Sequence, residues 1–281
     1  MGEVPTVLRA AAARLATVSA TPRLDAEILL AHALGVDRSA LLLDPARFVV
    51  PDSFAAFIER RQAHEPVGYI VGYRDFWTVR VGVGPGVLIP RADSETLLEV
   101  AVRHFASRPP RRVLDLGTGP GTLLLAALAE WPEASGLGVD GSGTALNYAR
   151  ANALALGLAE RAAWRRGDWG AGLVERFDLI LCNPPYIASD EPLMAEVAAH
   201  EPAEALFAGA DGLADYRRII PQLPNMLAPD GVAICEIGWT QAAAVTSLAD
   251  AAGLNAVVHC DLGGRDRAVL MRQAAGFAGN Q

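Results

Sequence analysis

From about residue 91 onward, the chain alternates short apolar segments typical of strands with longer segments typical of helices. Such alternation is typical of a parallel sheet covered by helices on both faces, because each helix carries the chain back between two parallel strands. The sequence therefore predicts a doubly wound α/β fold whose seven strands are mostly parallel. The predicted strands are RRVLDLG, SGLGVD, AAWRRGD, FDLILC, GVAICEIG, NAVVHCD and RAVLMR, and the predicted helices include LADYRRIIPQLPNML.

The first 70 residues have a different periodicity. The segments TVLRAAAARLA, TPRLDAEILLAHALG and PDSFAAFIERRQAHE repeat apolar residues at spacings of three and four, which indicates three or four short helices. The next segment, YIVGYRDFWTVRVGVGPGVLIP, alternates and carries glycines at turn positions, which indicates a β-hairpin. We expect a helical domain over 1–70, a hairpin linker over 71–90 and a larger domain over 91–281, with a loose tail AAGFAGNQ.

The composition disfavours several classes of protein. Apolar residues make up 52% of the 281, which suffices for a large core and excludes a disordered chain. The 24 strongly basic residues are all arginine and are outnumbered by 32 acidic ones; the net charge of −8 disfavours non-specific nucleic-acid binding. No segment reaches the roughly 18 uninterrupted apolar residues of a membrane span.

The three cysteines, Cys182, Cys235 and Cys260, are too widely spaced for a disulfide framework or a zinc site. This spacing fits a reducing cytoplasm. Cys182 and Cys235 lie in apolar runs and are expected in the core.

A glycine-rich turn follows the first predicted strand of the larger domain. Glycine lets the backbone approach a ligand closely at the amino end of the next helix. The pattern D-x-G-x-G-x-G differs from the G-x-G-x-x-G of dinucleotide-binding folds and so argues against a nicotinamide cofactor; a purely structural turn is the alternative. The turn consists of Asp115, Leu116, Gly117, Thr118, Gly119, Pro120 and Gly121.

Two more side chains follow strands at the same predicted edge of the sheet. Asp140 ends the second strand, where a carboxylate is placed to accept hydrogen bonds from both hydroxyls of a ribose. Capping of the next helix is its alternative role. Trp169 follows the third strand, and its ring is suited to cover an adenine face, with a half-buried structural tryptophan as the alternative.

The sequence Asn183-Pro184-Pro185-Tyr186 follows the fourth strand at its carboxyl end, where ligands bind in open α/β sheets. Consecutive prolines make this loop stiff. The Asn183 side-chain carbonyl and the Pro184 backbone carbonyl are two acceptors suited to a planar –NH₂ group, and Tyr186 supplies a flat face to stack on it.

An amide nitrogen is a weak nucleophile because its lone pair is delocalised. Holding both of its N–H groups out of the resting plane directs the lone pair towards an electrophile such as a sulfonium methyl group. In-line transfer then depends on positioning, and neither a metal nor an activated Ser or Cys is needed.

These residues resemble the HemK-type N5-glutamine methyltransferases, which methylate the glutamine of the Gly-Gly-Gln motif in class-1 peptide release factors. NPPY alone is shared with adenine-N6 DNA methyltransferases, whereas the IPR-x-D-x-E and EP-x-x-AL blocks are far more specific. Ser94 stands where Thr is commoner, and Pro120 where a small residue is usual. The resemblance covers nearly the whole chain, through RLDAEILL, EPVGYIVG, LIPRADSETL, DLGTGPG, NPPYI, EPAEALFAGADGLADYRRI, EIGWTQ and DLGGRDR.

The resemblance implies a class I methyltransferase fold and a role for each matching residue. S-adenosylmethionine, with S-adenosylhomocysteine as its product, would contact residues 117–121, Asp140, Trp169 and Asn183. Residues 183–186 would hold the glutamine amide as the catalytic loop. Arg91 and Glu95 are lid candidates, with a surface ion pair as the alternative, and Glu201-Pro202 would support the loop. The expected state is a cytoplasmic monomer that binds release factors, without metal, membrane or direct nucleic-acid contact.

Four other functions compete with this interpretation. A DNA adenine methyltransferase needs a basic target-binding surface, against which the net charge argues. A non-catalytic module would be expected to have lost Asn183 or a glycine, and a nicotinamide dehydrogenase lacks the right glycine spacing. A glutamine in a ribosomal protein is the closest competing substrate.

Overall fold

A computed structural model of the chain describes residues 3–274. The tail AAGFAGNQ, expected to be loose, lies outside the described residues apart from Ala274. Within residues 3–274 the α-helices are α1 (Val4–Leu15), α2 (Pro22–Leu34), α3 (Arg38–Leu43), α4 (Ser53–Gln62), α5 (Val67–Val71), α6 (Glu95–His104), α7 (Thr122–Glu130), α8 (Gly143–Ala155), α9 (Ala195–His200), α10 (Ala214–Ile219), α11 (Leu223–Met226) and α12 (Ala242–Ala251). The strands are β1 (Tyr73–Phe76), β2 (Val79–Gly82), β3 (Arg112–Leu116), β4 (Ser135–Asp140), β5 (Ala162–Arg166), β6 (Phe177–Cys182), β7 (Leu227–Glu236), β8 (Leu254–Cys260) and β9 (Asp266–Gln273).

The chain divides into two compact units. The helical unit comprises the residues up to Tyr73 together with Leu193–Glu201, and the larger unit comprises Arg74–Pro192 and the residues from Pro202 onward. This division differs in two respects from the boundaries 1–70, 71–90 and 91–281 expected from the sequence. The hairpin residues after Tyr73 belong to the larger unit, and a segment from the middle of the chain belongs to the helical one.

The helical unit is built from amphipathic helices, as the periodicity predicts. In α1 the residues Val4, Leu8, Ala11 and Leu15 lie on one face at spacings of four, three and four, and all are buried. They pack in a core that includes Leu29, Leu30, Leu41, Phe54 and Ile58. Up to Val71 the described chain forms five α-helices, where the sequence indicates three or four.

Arg61 on α4 explains why Leu193–Glu201 belongs to the helical unit. Its side chain is buried; Nε donates to Asp25 Oδ2 at 2.8 Å, and a terminal nitrogen lies 2.6 Å from Glu196 Oε2 on α9. Removing both carboxylates would leave the buried Arg61 charge uncompensated, at a cost of about 3–5 kcal/mol. The helical segment AEVAAH is too short to show a periodicity that predicts this contact.

The hairpin expected between the two parts is present as the two-stranded sheet β1–β2. Its turn places Trp77 at a φ of +53°, and the Trp77 amide donates to Glu95 Oε1 at 2.9 Å. Asn152 of α8 binds the end of β2, because its Oδ1 accepts from the Gly82 amide and its Nδ2 donates to the Gly82 carbonyl. These contacts fix the hairpin to the larger unit.

The larger unit contains a seven-stranded sheet in the order β5-β4-β3-β6-β7-β9-β8. Neighbouring strands from β5 to β7 are parallel, and β9 runs antiparallel to β7 and β8. The predicted doubly wound sheet with seven mostly parallel strands is confirmed. Chain order reverses between β3 and β6, which creates a crevice at their carboxyl ends. Cys182 and Cys235 face each other on β6 and β7 and are buried, as predicted.

The segment LADYRRIIPQLPNML is not one continuous helix. It forms α10, a 3₁₀ turn over Ile220–Gln222 and α11. Pro221 and Pro224 lack the N–H group that a continuous helix would use, so the helix is interrupted where they enter.

Candidate active site

A cavity of about 590 Å³ lies at the carboxyl ends of the parallel strands, within the larger unit. This volume is in the range of small-molecule sites. The loops after β3, β4, β5 and β6 contribute residues 117–120, 140–143, 167–169, Asn183 and Pro185, and the segment before α6 contributes Arg91 and Ser94. The predicted edge of the sheet is therefore where the cavity forms.

The three glycines of the turn after β3 have positive φ values but different surroundings. A Cβ on Gly117 would lie 2.9 Å from the Trp169 ring, and one on Gly121 would lie 2.9 Å from the Trp164 ring. A Cβ on Gly119 would meet nothing within 4 Å, although its φ of +55° disfavours other residues. Gly117 and Gly121 are thus required by packing inside the protein, whereas Gly119 faces open space in the cavity wall.

Asp115 is a cavity residue to which the sequence analysis assigned no role. It is 1% exposed, and its Oδ2 accepts from the Thr118 hydroxyl at 2.6 Å and the Leu124 amide at 3.2 Å. Its Oδ1 is buried without a hydrogen-bond partner among the described residues. Burial, with a further contribution from the charge of Asp140, raises the pKa of Asp115 to about 7. Thr118 therefore holds Asp115, whose second oxygen is left for a cationic group.

Asp140 joins two of the loops that line the cavity. Its Oδ2 accepts from the Gly119 amide at 2.8 Å and its Oδ1 from the Ser142 amide at 2.7 Å. Burial raises the pKa of Asp140, and these two hydrogen bonds oppose the shift. Each carboxylate oxygen retains a second lone pair. The side chain that caps α8 is Ser142, which accepts from the Ala145 amide at 3.2 Å.

Trp169 is half-buried and also lines the cavity, so its role towards an adenine stays a prediction. Its φ is +52°, and its ring lies over Gly117. The adjacent Asp168 accepts from Arg218 of α10 at 2.6 Å, and both also line the cavity. Arg218 was not identified from the sequence, because α10 follows much later in the chain.

The NPPY loop presents two of its four residues to the cavity. Asn183 and Pro185 line it, whereas Pro184 and Tyr186 do not. The Asn183 Nδ2 donates to Ser94 Oγ at 3.0 Å, which leaves the amide oxygen Oδ1 as the end available to a ligand. The Tyr186 hydroxyl donates to Glu236 Oε1 at 3.3 Å, and burial raises the pKa of this phenol.

The two lid candidates have different positions. Arg91 lines the cavity and therefore stays a candidate for the lid. Glu95 is not among the lining residues and accepts from the Trp77 amide in the hairpin turn. Glu95 thus satisfies a backbone N–H in a turn with a positive φ, and a lid role for it stays a prediction.

Residues 3–274 contain neither a cluster of metal ligands nor a helix suited to span a membrane. No group of three or more His, Cys, Asp and Glu side chains among them is arranged to hold a metal ion. None of their helices is both long and apolar enough to cross a membrane.

The sheet order and the cavity at its switch point define a class I methyltransferase. A solved methyltransferase from Pyrococcus furiosus aligns with a TM-score of 0.51 at 16% identity, covering 68% of this chain and 86% of that chain. Two family models also match, the PrmC N-terminal domain over residues 6–72 and the methyltransferase small domain over residues 91–209.

Relatives that match along nearly the whole chain show which methyltransferase family it belongs to. Release factor glutamine methyltransferase of Caulobacter vibrioides is 43% identical over 89% of both chains, and that of Cereibacter sphaeroides is 46% identical over 95% of this chain and 98% of its own. The chain belongs to the release factor glutamine methyltransferase family.

Proposed function

We propose that this protein transfers the methyl group of S-adenosylmethionine to the side-chain amide nitrogen of the glutamine in the Gly-Gly-Gln motif of class-1 release factors. The observation that carries the proposal is the position of Asn183. It lines the cavity at the end of β6, with its NH₂ group bound to Ser94 and its carbonyl oxygen left for the substrate.

The residues around the cavity fit S-adenosylmethionine. The partnerless Oδ1 of Asp115 suits the ammonium group, Gly119 allows close approach of the backbone, and the remaining lone pairs of Asp140 suit the ribose hydroxyls. Trp169 and Arg91 line the same cavity. When bound, the cofactor supplies a methyl group on a positively charged sulfur.

The NPPY loop binds and orients the amide of the substrate. The carbonyl oxygens of Asn183 and Pro184 accept its two N–H groups, so that the nitrogen lone pair is directed towards the methyl group. The two prolines keep the loop stiff, and Pro184 and Pro185 are both buried. The ring of Tyr186 supports the amide plane; because Pro184 and Tyr186 lie outside the cavity lining, the proposal places their contacts with the amide at the rim of the cavity. Fixed acceptors of this kind act by preorganisation, because they need no rearrangement during the reaction.

Mass spectrometry of a release factor incubated with the enzyme and methyl-labelled cofactor tests this proposal. We expect one methyl group on the glutamine of the Gly-Gly-Gln motif and none on a release factor in which this glutamine is alanine. Label on a ribosomal protein, with none on the release factor, would move the assignment to the competing glutamine substrate.

The helical unit is proposed to dock the protein substrate, because a glutamine side chain alone is too small to select one protein. Leu43 of α3 is 89% exposed, so Leu43→Asp changes the surface without opening the core. We expect a lower kcat/KM on intact release factor and an unchanged rate on a short Gly-Gly-Gln peptide. Val174, 88% exposed in the larger unit, provides the matched control Val174→Asp. Equal losses on both substrates would contradict docking at α3. Monomeric state and cytoplasmic location stay predictions.

A further inference from the structure

Buried polar side chains lie behind the NPPY loop. Asn183 Nδ2 donates to Ser94 Oγ at 3.0 Å, and the Ser94 hydroxyl is close enough to the Glu236 carboxyl to lower its pKa. The Tyr186 hydroxyl donates to the same carboxylate at 3.3 Å. Ser94 is 3% exposed and Glu236 1% exposed, so neither side chain is bound to bulk water. The two ends of the loop are thus bound to neighbouring buried side chains, Asn183 to Ser94 and Tyr186 to Glu236 at the end of β7.

The direction of these hydrogen bonds follows from the chemistry of the groups. Ser94 Oγ accepts from Asn183, so its single proton is free to point towards the nearby Glu236 carboxylate, which only accepts when ionised. The Asn183 NH₂ therefore faces Ser94, and the carbonyl oxygen faces the other way. A reversed amide would place its oxygen against a hydroxyl whose proton points towards Glu236, leaving a polar group unpaired at about 1–3 kcal/mol.

Charged and titratable groups surround Glu236 from several elements. Arg267 of β9 and Asp93 of the 3₁₀ turn before α6 act on it electrostatically, and the hydroxyl of Tyr216 on α10 donates to its backbone carbonyl at 2.7 Å. Arg267 is itself bound to Asp93 at 3.3 Å and to Asp261 at 3.4 Å. Oε2 of Glu236 has no hydrogen-bond partner among the described residues. Burial raises the pKa of Glu236 to about 7, against the effect of Ser94 and Arg267.

We propose that Ser94 and Glu236 are positioning residues for the methyl transfer, which act by fixing the orientation of the Asn183 amide and of the Tyr186 ring. The proposal rests on the proposed role of Asn183 as an acceptor for the substrate amide. Glu236 does not line the cavity; Ser94 does, and its proposed effect on the reaction is through Asn183.

Substitutions at Ser94 separate positioning from packing. Ser94→Ala removes the hydroxyl, and we expect kcat to fall about tenfold, the effect of one polar contact worth 1.4 kcal/mol. The Kd for S-adenosylmethionine is measured alongside, because Ser94 also lines the cavity, and we expect the loss in kcat to exceed any loss in cofactor affinity. Ser94→Thr retains the hydroxyl and is expected to retain most of kcat. Wild-type kcat in Ser94→Ala, or equal losses in both variants at equal thermal stability, would overturn the proposal.

A double-variant comparison tests whether Ser94 acts through Asn183. We expect Ser94→Ala to lower kcat in the wild-type background and to have no further effect in the Asn183→Ala background, because the group that it orients is gone. Additive losses would overturn the positioning role. Full activity of Asn183→Ala would instead refute the proposed function, so the two failures are distinguishable.

The pH profile tests Glu236. Below about pH 7 the carboxyl gains a proton that competes with the Ser94 and Tyr186 hydroxyls, so kcat is expected to fall on the acid side. Glu236→Gln cannot titrate, and we expect a lower kcat at pH 8 with a flatter profile between pH 6 and 8. The pKa of Asp115 is also raised to about 7, so the profile is compared with that of Asp115→Asn at saturating S-adenosylmethionine. An acid limb that Asp115→Asn loses and Glu236→Gln keeps would overturn the assignment to Glu236.

Discussion

Asp140 provides a sharp test of the cofactor site, because both of its carboxylate oxygens already accept backbone hydrogen bonds. The Gly119 amide binds Oδ2 at 2.8 Å and the Ser142 amide binds Oδ1 at 2.7 Å. In Asp140→Asn the side chain keeps its size, but its NH₂ group must face one of these two N–H groups. An NH₂ group also cannot accept from a ribose hydroxyl, so we expect the loss of one ligand hydrogen bond to a charged acceptor, about 1.5–3 kcal/mol. Binding of S-adenosylmethionine would then weaken about 10- to 150-fold.

Titration calorimetry with S-adenosylmethionine and S-adenosylhomocysteine measures this change in affinity. Thermal unfolding without ligand shows how far the substitution destabilises the two loops that Asp140 joins. Asp178 is a matched control at the opposite end of the sheet, where its Oδ2 alone accepts from the Arg111 and Arg112 amides at 2.8 and 2.9 Å. Because one oxygen serves both donors, Asp178→Asn keeps both bonds and should keep the wild-type Kd. An unchanged Kd in Asp140→Asn would refute the placement of the ribose at this carboxylate.

Three other substitutions test separate parts of the site. Gly119→Val should abolish cofactor binding in calorimetry, since a side chain would fill the open cavity wall at a φ of +55°, and normal binding would place the ligand elsewhere. Asn183→Asp keeps an acceptor but adds a charge beside the positively charged sulfur; we expect turnover to fall about 100-fold or more with the fold intact, and near-normal turnover would refute the two-acceptor mechanism. Burial raises the pKa of Asp115 from 3.8 to about 7, so between these values the folded chain holds a proton that the unfolded chain has released. The free energy of unfolding therefore falls as pH rises from about 4 to 7. Urea unfolding at a series of pH values should show a smaller fall in this free energy for Asp115→Asn than for the wild type.

The sheet and the location of the cavity were predictable because both depend on local signals. Each strand is a short apolar run, and the glycine turn, Asp140, Trp169 and Asn183 each follow directly after one. The carboxyl ends of parallel strands lie at one edge of the sheet. Predicting that the strands are parallel is therefore enough to place these residues together. The order of strands in the sheet was not needed for this result.

The functions of individual side chains were less predictable, because several of them act on the protein rather than on a ligand. Thr118 holds Asp115, Gly121 makes room for Trp164, and Glu95 accepts from the Trp77 amide. The motif pattern identifies these positions, but it does not distinguish a residue that faces the cavity from one that faces inward. This distinction depends on contacts between residues that are far apart in the sequence.

Because Leu193–Glu201 belongs to the helical unit, deleting the first 70 residues is a poor test of whether the helical unit docks the substrate. This segment begins seven residues after Tyr186 and is followed directly by Pro202, which lines the cavity. Its Glu196 is bound to the buried Arg61, so a truncated chain that starts near Gly72 loses this partner. The truncation would therefore disturb Leu193–Glu201, which lies between the catalytic loop and Pro202. A loss of activity in the truncated chain could then come from the altered catalytic loop as well as from lost substrate docking. Surface substitutions such as Leu43→Asp keep Arg61 and Glu196 paired and are the sounder test.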